Sequence, residues 1–169
     1  MKNYERGLTL DRLHEVLHYD PETGIWTWLI TLSPRSPAGN LACKTKHDTG
    51  YHRISIDGHR YKAHRLAWLY MTGKWPDRQI DHENTIRHDN RWTNLRQATQ
   101  QQNSANMLRK NNKLKIKGII RSRNGARFIA RIMVDYQSIH LGTYDTQEEA
   151  AEVYRTAAEK YFGAYSRVA

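Results

Sequence analysis

The residue types that could carry out hydrolysis are concentrated in one stretch, residues 80–103, which reads IDHENTIRHDNRWTNLRQATQQQN. It contains an adjacent carboxylate and imidazole, Asp81 and His82, and the carboxamides of Asn94 and Asn103. Carboxylate and carboxamide oxygens are the ligands that hard divalent cations prefer. The separations of 12 and 9 residues from His82 through Asn94 to Asn103 therefore predict a small metal site.

The chemistry that such a group supports is the hydrolysis of a phosphodiester bond. Asp81 and Asn103 would bind a divalent metal, which stabilises the charge that develops on the phosphate and on the leaving oxygen. His82 would act as general base on the attacking water, because its ordinary pKa lies near neutral pH. Asn94 would hold His82 in one orientation by hydrogen-bonding the backbone beside it.

The expected cofactor is Mg²⁺, with Mn²⁺ as the alternative. We expect no structural zinc, because the single cysteine, Cys43, cannot form a Cys-x-x-Cys pair. For the same reason the chain cannot form an intramolecular disulfide.

The charge of the chain predicts a polyanionic partner. Its 169 residues suffice for one domain or two small ones, and they carry a net charge of +10 with a pI of about 9.8. No acidic residue lies between Asp89 and Asp135, whereas that span contains 11 Arg or Lys residues. A solvated basic face is the alternative. The length of the run, and its start at the predicted metal site, favour contacts with backbone phosphates.

Local patterns predict the elements that position the metal site, and together they indicate an α+β fold. We expect a helix over residues 9–18 capped by Thr9, a turn over residues 19–24, and a strand that follows it. Trp26 and Trp28 share one face of that strand, which favours core packing over base stacking. Next we expect a loop at residues 31–49, a hairpin around Asp57-Gly58, and a helix over residues 63–71 that ends at Gly73.

The metal-site stretch should itself form a strand, a loop and a return. We expect the strand at residues 79–82, the loop at residues 83–90, and a returning strand or turn at residues 94–98. Thr99 should then start a helix whose first residues are nearly all polar. This pattern is typical of a helix that faces a ligand or a DNA backbone.

Together with HRLAW at residues 64–68, this stretch closely resembles the HNH endonucleases of the ββα-metal superfamily. It looks most like the phage and intron-encoded members, in which an Asn replaces the last His of the motif. YDPETG at residues 19–24 and GYHRISIDGHRY at residues 50–61 also look like these proteins, so the resemblance covers residues 10–107.

The resemblance implies the same roles position by position: His82 as general base, Asp81 and Asn103 as metal ligands, and Asn94 as the structural amide. His64 and Arg65 match a family element for which packing and phosphate contact remain equal alternatives. For His88, a solvated loop position is favoured over a catalytic one.

Residues 118–169 predict a second module of three strands and one helix. The strands are expected at residues 119–121, 127–134 and 138–141, with turns at Asn124-Gly125 and Tyr136-Gln137. Thr146 and Glu149 predict a capping box for the helix, which should end at Gly163. Its expected inner stripe is Ala150, Val153, Ala157 and Tyr161.

The segment LGTYDTQEEAA at residues 141–151 closely resembles the APETALA/ethylene-response-factor type of DNA-binding domain. In that family the exposed sheet face enters the major groove, so Phe128 is assigned to the core and the polar residues of the other face to DNA. With the basic stretch before it, the predicted DNA contacts are Arg96, Arg109, Lys110, Lys113, Lys115, Lys117, Arg121, Arg123, Arg127, Arg131, His140 and Thr143.

The predicted organisation has four parts. Residues 1–60 form the N-terminal helix and hairpin region of the nuclease, and residues 61–107 form the ββα-metal core. Residues 108–117 form a basic linker along the DNA, and residues 118–169 form the DNA-binding domain.

The prediction is a metal-dependent DNA endonuclease of homing type, acting on double-stranded DNA as a monomer or weak dimer. No apolar run has the length of a signal peptide or membrane span, so we expect a cytoplasmic protein without a membrane partner, in the host cell if it is phage-encoded. The alternatives are a non-catalytic, sequence-specific DNA-binding regulator and an RNA-binding protein or RNase.

Overall fold

Small antiparallel sheets and helices alternate along the chain, which confirms the predicted α+β class. The computed structural model describes residues 7–43, 49–107, 114 and 116–166. The chain divides into two units, Met1–Gln97 and Ala98–Ala169. This division falls within the predicted core segment 61–107, and the predicted domain boundaries stay a prediction. No helix in the described part of the chain is long and apolar enough to cross a membrane.

The first unit begins with a helix and a β-hairpin. Helix α1, Leu10–Val16, starts as predicted at Thr9, whose hydroxyl accepts a hydrogen bond from the Arg12 amide. Strand β1, Leu17–Asp20, pairs with β2, Ile25–Trp28. The predicted helix was too long at its end, because Leu17 and Tyr19 alternate with more exposed residues and satisfy the two-residue period of a strand.

A second hairpin and a helix complete the core of this unit. Strands β3, Arg53–Ile56, and β4, His59–Lys62, join through the predicted turn. Both of its central residues have positive φ, 48° at Asp57 and 79° at Gly58, as a two-residue hairpin turn requires. Helix α2, Ala63–Thr72, ends as predicted at Gly73. The core packed between these elements includes the predicted tryptophans of β2.

The predicted metal-site stretch forms the last sheet of the unit. Strand β5, Gln79–His82, pairs with β6, Leu95–Ala98, and a single 3₁₀ turn, Trp92–Asn94, precedes β6. Ile80 and the two residues that follow it are all buried, so β5 is covered on both faces.

The second unit contains a short helix and a three-stranded sheet covered by a longer helix. Helix α3, Gln100–Asn106, starts at a capping box formed by Thr99 and Gln102. Strands β7, Ile119–Arg121, β8, Phe128–Val134, and β9, Gln137–Tyr144, lie in the order β7-β8-β9. Helix α4, Gln147–Phe162, packs on the sheet, and both its predicted capping box and its predicted end at Gly163 are confirmed.

Two predictions for the second unit are wrong in detail. The β8–β9 turn lies at Asp135-Tyr136, one residue earlier than predicted, and both residues have positive φ. The inner face of α4 is formed by Ala150, Ala151, Tyr154, Ala158 and Phe162, whereas the predicted Tyr161 is 42% exposed. The predicted Val153 and Ala157 are half-buried. Apolar residues occur on both stripes, and the large rings of the observed one fill the space under the helix.

Candidate active site

Asp81 and His82 occupy consecutive positions on the buried strand β5, and each is 4% exposed. Consecutive strand residues point to opposite faces, so each side chain has its own set of neighbours. Oδ2 of Asp81 accepts a hydrogen bond at 3.1 Å from Nε of Arg96, which lies on the neighbouring strand β6. The sequence prediction assigned Arg96 to DNA and missed this ion pair, which balances the buried charge of Asp81.

The imidazole of His82 lies in a cluster of rings. Its centroid is 4.9 Å from that of His64, edge to face, and 5.8 Å from that of Tyr51. Burial lowers the pKa of His82 below its ordinary value, against smaller opposing effects of Asn90 and Asp81. The ring is therefore neutral at neutral pH, which is the protonation state that a general base needs.

His64 and Arg65 contact other parts of the first unit. His64 is buried, its Nδ1 has no hydrogen-bond partner within the described residues, and burial holds its pKa well below the ordinary value. Arg65 donates to the backbone carbonyl oxygens of Pro76 and Arg78, which lead into β5. These positions favour packing over phosphate contact for both residues.

Asn94 closes the loop between β5 and β6. Its Oδ1 accepts from the Asn84 amide at 3.0 Å, and its Nδ2 donates to the Asp89 carbonyl oxygen at 2.8 Å. Its own carbonyl oxygen accepts from the amide of Glu83, the residue directly after His82, at 3.0 Å. These bonds lie where the sequence prediction placed a loop-fixing amide, and the catalytic importance of Asn94 stays a prediction.

An ion pair within the same loop adds to these contacts. The Asp89 carboxylate accepts from Nε and Nη2 of Arg91 at 2.9 and 2.5 Å, and from Nδ2 of Asn84 at 2.7 Å. The guanidinium beside it is the main reason why the pKa of Asp89 is lowered to about 2. The loop is thus held by the Asn94 carboxamide and by the Asp89–Arg91 ion pair, which is charged on both sides near neutral pH.

Two cations beside the Tyr51 ring, which neighbours His82, were not predicted from the sequence. Nζ of Lys62 lies 4.7 Å, and Cζ of Arg87 5.2 Å, from the centroid of the Tyr51 ring. Their positive charge favours a phosphate near the imidazole. The segment GYHRISIDGHRY was associated with the nuclease only by resemblance, and no local pattern indicated that Tyr51 would reach His82.

Asn103, the second predicted metal ligand, lies on α3 in the second unit, where its amide donates to the Thr99 carbonyl oxygen at 3.0 Å. Its role as a ligand stays a prediction. The described residues contain no group of three or more His, Cys, Asp or Glu side chains that could hold a metal. The Asp81 carboxylate and the Asn103 carboxamide each offer a hard oxygen donor of the kind that suits Mg²⁺, which usually keeps several water ligands.

The predicted DNA contacts of the sheet divide between two faces. Arg131 pairs directly with His140 across β8 and β9, and Ile129 pairs with Thr143, so these residues share the exposed face opposite α4. Arg121 pairs instead with Phe128, on the face that α4 covers, and its Cζ lies 5.0 Å from the centroid of that ring. The register of β7 therefore places Arg121 on the same face as Phe128, and its contact with DNA stays a prediction.

The remaining predicted contacts have different surroundings. Nε of Arg127 forms an ion pair with Asp145 at 2.8 Å, and Arg123 is exposed in the turn between β7 and β8. Nζ of Lys117 donates to the carbonyl oxygens of Ser104 and Ala105, which caps the end of α3. Four predicted contacts lie outside the described residues: Arg109, Lys110, Lys113 and Lys115.

Part of this region matches a known family model. Residues 61–105 match a family model described as HNH endonuclease. An uncharacterized HNH endonuclease of Acanthamoeba polyphaga mimivirus is 32% identical over 115 residues, which cover 67% of this chain and 59% of that protein. The chain thus spans about three fifths of the length of this curated relative. The chain is also similar to the structure of the HNH homing endonuclease I-HmuI, with a TM-score of 0.44 and 21% identity, over 90% of this chain and 88% of the other.

Proposed function

We propose that this chain, which carries an HNH endonuclease domain at residues 61–105, is a metal-dependent DNA endonuclease of homing type. The observation that best supports the proposal is the adjacent pair Asp81 and His82, buried on β5 and followed by a loop that Asn94 ties together. Buried groups whose pKa is shifted by their surroundings, as it is for His82, are concentrated at functional sites.

In the proposed mechanism, each group has a separate task. The neutral imidazole of His82 takes a proton from the attacking water. Asp81 and Asn103 would hold the metal, which when bound stabilises negative charge on the phosphate and on the leaving oxygen. Asn94 keeps the loop closed, so that the imidazole does not rotate away from the substrate. The products would carry 5′-phosphate and 3′-hydroxyl ends.

The proposed DNA contacts come from both units. Lys62 and Arg87 would meet phosphates close to His82, and the exposed sheet face with Arg131, His140 and Thr143 would contact duplex DNA. With one such site per chain, a monomer would nick one strand, and cutting both strands would need a weak dimer or a second binding event. A viral origin and action in the host cytoplasm belong to the same proposal, and the mimivirus relative supports the first of these.

The decisive experiment is a plasmid-nicking assay with Mg²⁺, with Mn²⁺ and with EDTA. We expect nicking that needs the metal and is lost in His82→Ala, whereas the affinity for DNA changes less than about twofold, because the buried imidazole contributes little to phosphate contact. His88→Ala, which changes a half-buried loop histidine, should keep wild-type activity and serves as the control.

Two outcomes would favour the other candidates. Tight duplex binding without nicking at any salt or metal concentration would indicate a DNA-binding regulator. Preferential binding of single-stranded RNA in competition with duplex DNA would indicate an RNA-binding protein or RNase. A His82→Ala variant that cuts at the wild-type rate would remove His82 from the mechanism.

A further inference from the structure

We infer that the β1–β2 hairpin, Leu17–Trp28, is a positioning element that holds His82 in its reactive orientation through Asn90. The hairpin contains the YDPETG segment, to which neither the proposed metal site nor the proposed DNA contacts assign a task. The inference rests on the proposed function, since it gives that segment a part in the same reaction. The contacts that support the inference all lie within the first unit.

The hairpin contacts three successive residues of the segment between β5 and β6. The hydroxyl of Tyr19 donates to the Asn90 carbonyl oxygen at 2.6 Å, a buried bond between residues 71 positions apart. The Trp92 amide donates to the Pro21 carbonyl oxygen at 2.9 Å. The residue between them, Arg91, meets the hairpin at Gly24.

At Gly24 the backbones of the hairpin and the loop come very close together. A Cβ atom there would lie 2.5 Å from the Arg91 amide nitrogen and 2.5 Å from the Asn90 carbonyl carbon. The φ angle of Gly24 is +72°, which side chains other than glycine rarely adopt. The close approach and the positive φ therefore both require glycine at position 24. The backbone of Asn90 and Arg91 packs directly against the hairpin turn.

The turn is itself held rigid. The Gly24 amide donates to the Asp20 carbonyl oxygen at 2.8 Å, and the Asp20 carboxylate accepts from the Glu22 amide and the Thr23 hydroxyl at 2.9 and 2.6 Å. On its other side, the Tyr19 ring stacks on Trp26 with centroids 4.6 Å apart. A preformed turn can impose its position on a loop, because its own ordering has already occurred.

Asn90 links the hairpin to the imidazole of His82, because it contacts both. It is 1% exposed, its Nδ2 donates to the His88 carbonyl oxygen at 3.3 Å, and its Oδ1 lies 3.5 Å from Nε2 of His82. A carboxamide oxygen can only accept, so this contact favours the tautomer with a proton on Nε2. Nδ1 is then the nitrogen that can take a proton from water.

The test compares two tyrosines of one aromatic cluster. Tyr19→Phe removes the hydroxyl bound to Asn90 and keeps the stacked ring. Tyr70→Phe removes a hydroxyl from a ring whose centroid lies 5.7 Å from that of Tyr19, and within the described residues this hydroxyl makes no hydrogen bond. Both changes are conservative, so both proteins should fold.

Steady-state nicking is measured at saturating and subsaturating DNA. We expect Tyr19→Phe to lower kcat by about 10-fold with KM unchanged within about twofold, as for other groups that orient a catalytic side chain. Tyr70→Phe should leave both constants at wild-type values. Gly24→Ala should lower kcat further, by about 100-fold. Wild-type kcat in Tyr19→Phe would overturn the inference, and so would equal losses in the two Phe variants.

A second measurement does not depend on cleavage. Amide hydrogen exchange at residues 90–94 should be faster in Tyr19→Phe than in both the wild type and Tyr70→Phe, because the loop loses its hairpin contact. Unchanged exchange there would overturn the inference. If the wild type shows no metal-dependent nicking but the exchange changes as expected, then the proposed function fails while the mechanical link between hairpin and loop stands.

Discussion

At the scale of single residues, the site depends on placing ionisable side chains in a buried sheet. Burial keeps His82 and His64 neutral, since the charged imidazole would lose its hydration without gaining a full counter-charge. Asp81 is buried beside them and is balanced by Arg96. The predicted base and a predicted metal ligand are thus adjacent in the chain, and Arg96 balances the charge of the ligand.

This burial makes the stability of the first unit depend on pH. The pKa values of His82 and His64 are lower in the folded than in the unfolded chain, so below about pH 6.5 the unfolded chain binds more protons and is favoured. We expect the melting temperature to fall as the pH drops below about 6.5, and to be nearly constant above it.

The check is thermal unfolding from pH 5 to pH 8, with metal chelated. His64→Phe, which keeps a buried ring, should show a smaller decrease below about pH 6.5 than the wild type, because one of the two buried imidazoles is gone. His88→Phe is the matched control. A wild-type melting temperature that is flat through this range would contradict the assignment of two buried neutral histidines.

At the scale of elements, the sheet of the second unit has one covered and one exposed face. Helix α4 covers the side with Ala130 and Ile132, and the other side presents Arg131 and His140 as a directly opposed pair. Deleting residues 118–169 would not test this face alone. Ala105 of α3 belongs to the same core as Ile119 and Tyr154, so the deletion would expose buried surface of the part that remains.

Substitution on the exposed face is therefore the better test. We expect Arg131→Ala to weaken binding of the cognate DNA site by about 10- to 100-fold if the guanidinium contacts a base edge. If it contacts only a phosphate, binding should weaken about equally for all sequences. Arg155→Ala, on α4 and paired with Glu152, is the control and should bind like the wild type. Fluorescence anisotropy with cognate and scrambled duplexes measures both, and unchanged affinity in Arg131→Ala would remove this face from the interface.

At the scale of the whole molecule, the net charge of +10 predicts an affinity for DNA that falls as salt is added. Each phosphate that the protein neutralises releases counterions from duplex DNA, which lowers the affinity as salt is added. With about six such contacts, we expect an affinity loss of about 10³-fold between 50 and 200 mM salt.

Titrations at several salt concentrations give the slope of log affinity against log salt. Arg87→Gln should reduce the magnitude of this slope by about one phosphate contact. Glu148→Gln, which removes an exposed acid from α4, should leave it close to wild type. A slope near zero for the wild type would argue against phosphate contacts as the main source of affinity.

Much of the fold could be predicted from local sequence, because caps, turns and strand periods are set by neighbouring residues. The cap at Thr9, the Asp57-Gly58 turn, the end of α2 at Gly73 and the capping box at Thr146 all follow from backbone groups that a nearby residue satisfies. The residues of the candidate site were proposed together from their types and spacing within one short stretch, and their roles stay a prediction.

Only the tertiary structure decided which distant groups surround those residues. The contacts of Tyr19 with Asn90, of Tyr51 and His64 with His82, and the position of Arg121 join segments far apart in the chain or depend on strand register. Local pattern does not encode such contacts, because they arise from how whole elements pack. The sequence alone determined the candidate chemistry, and packing determined the protonation, orientation and support of the groups that would carry it out.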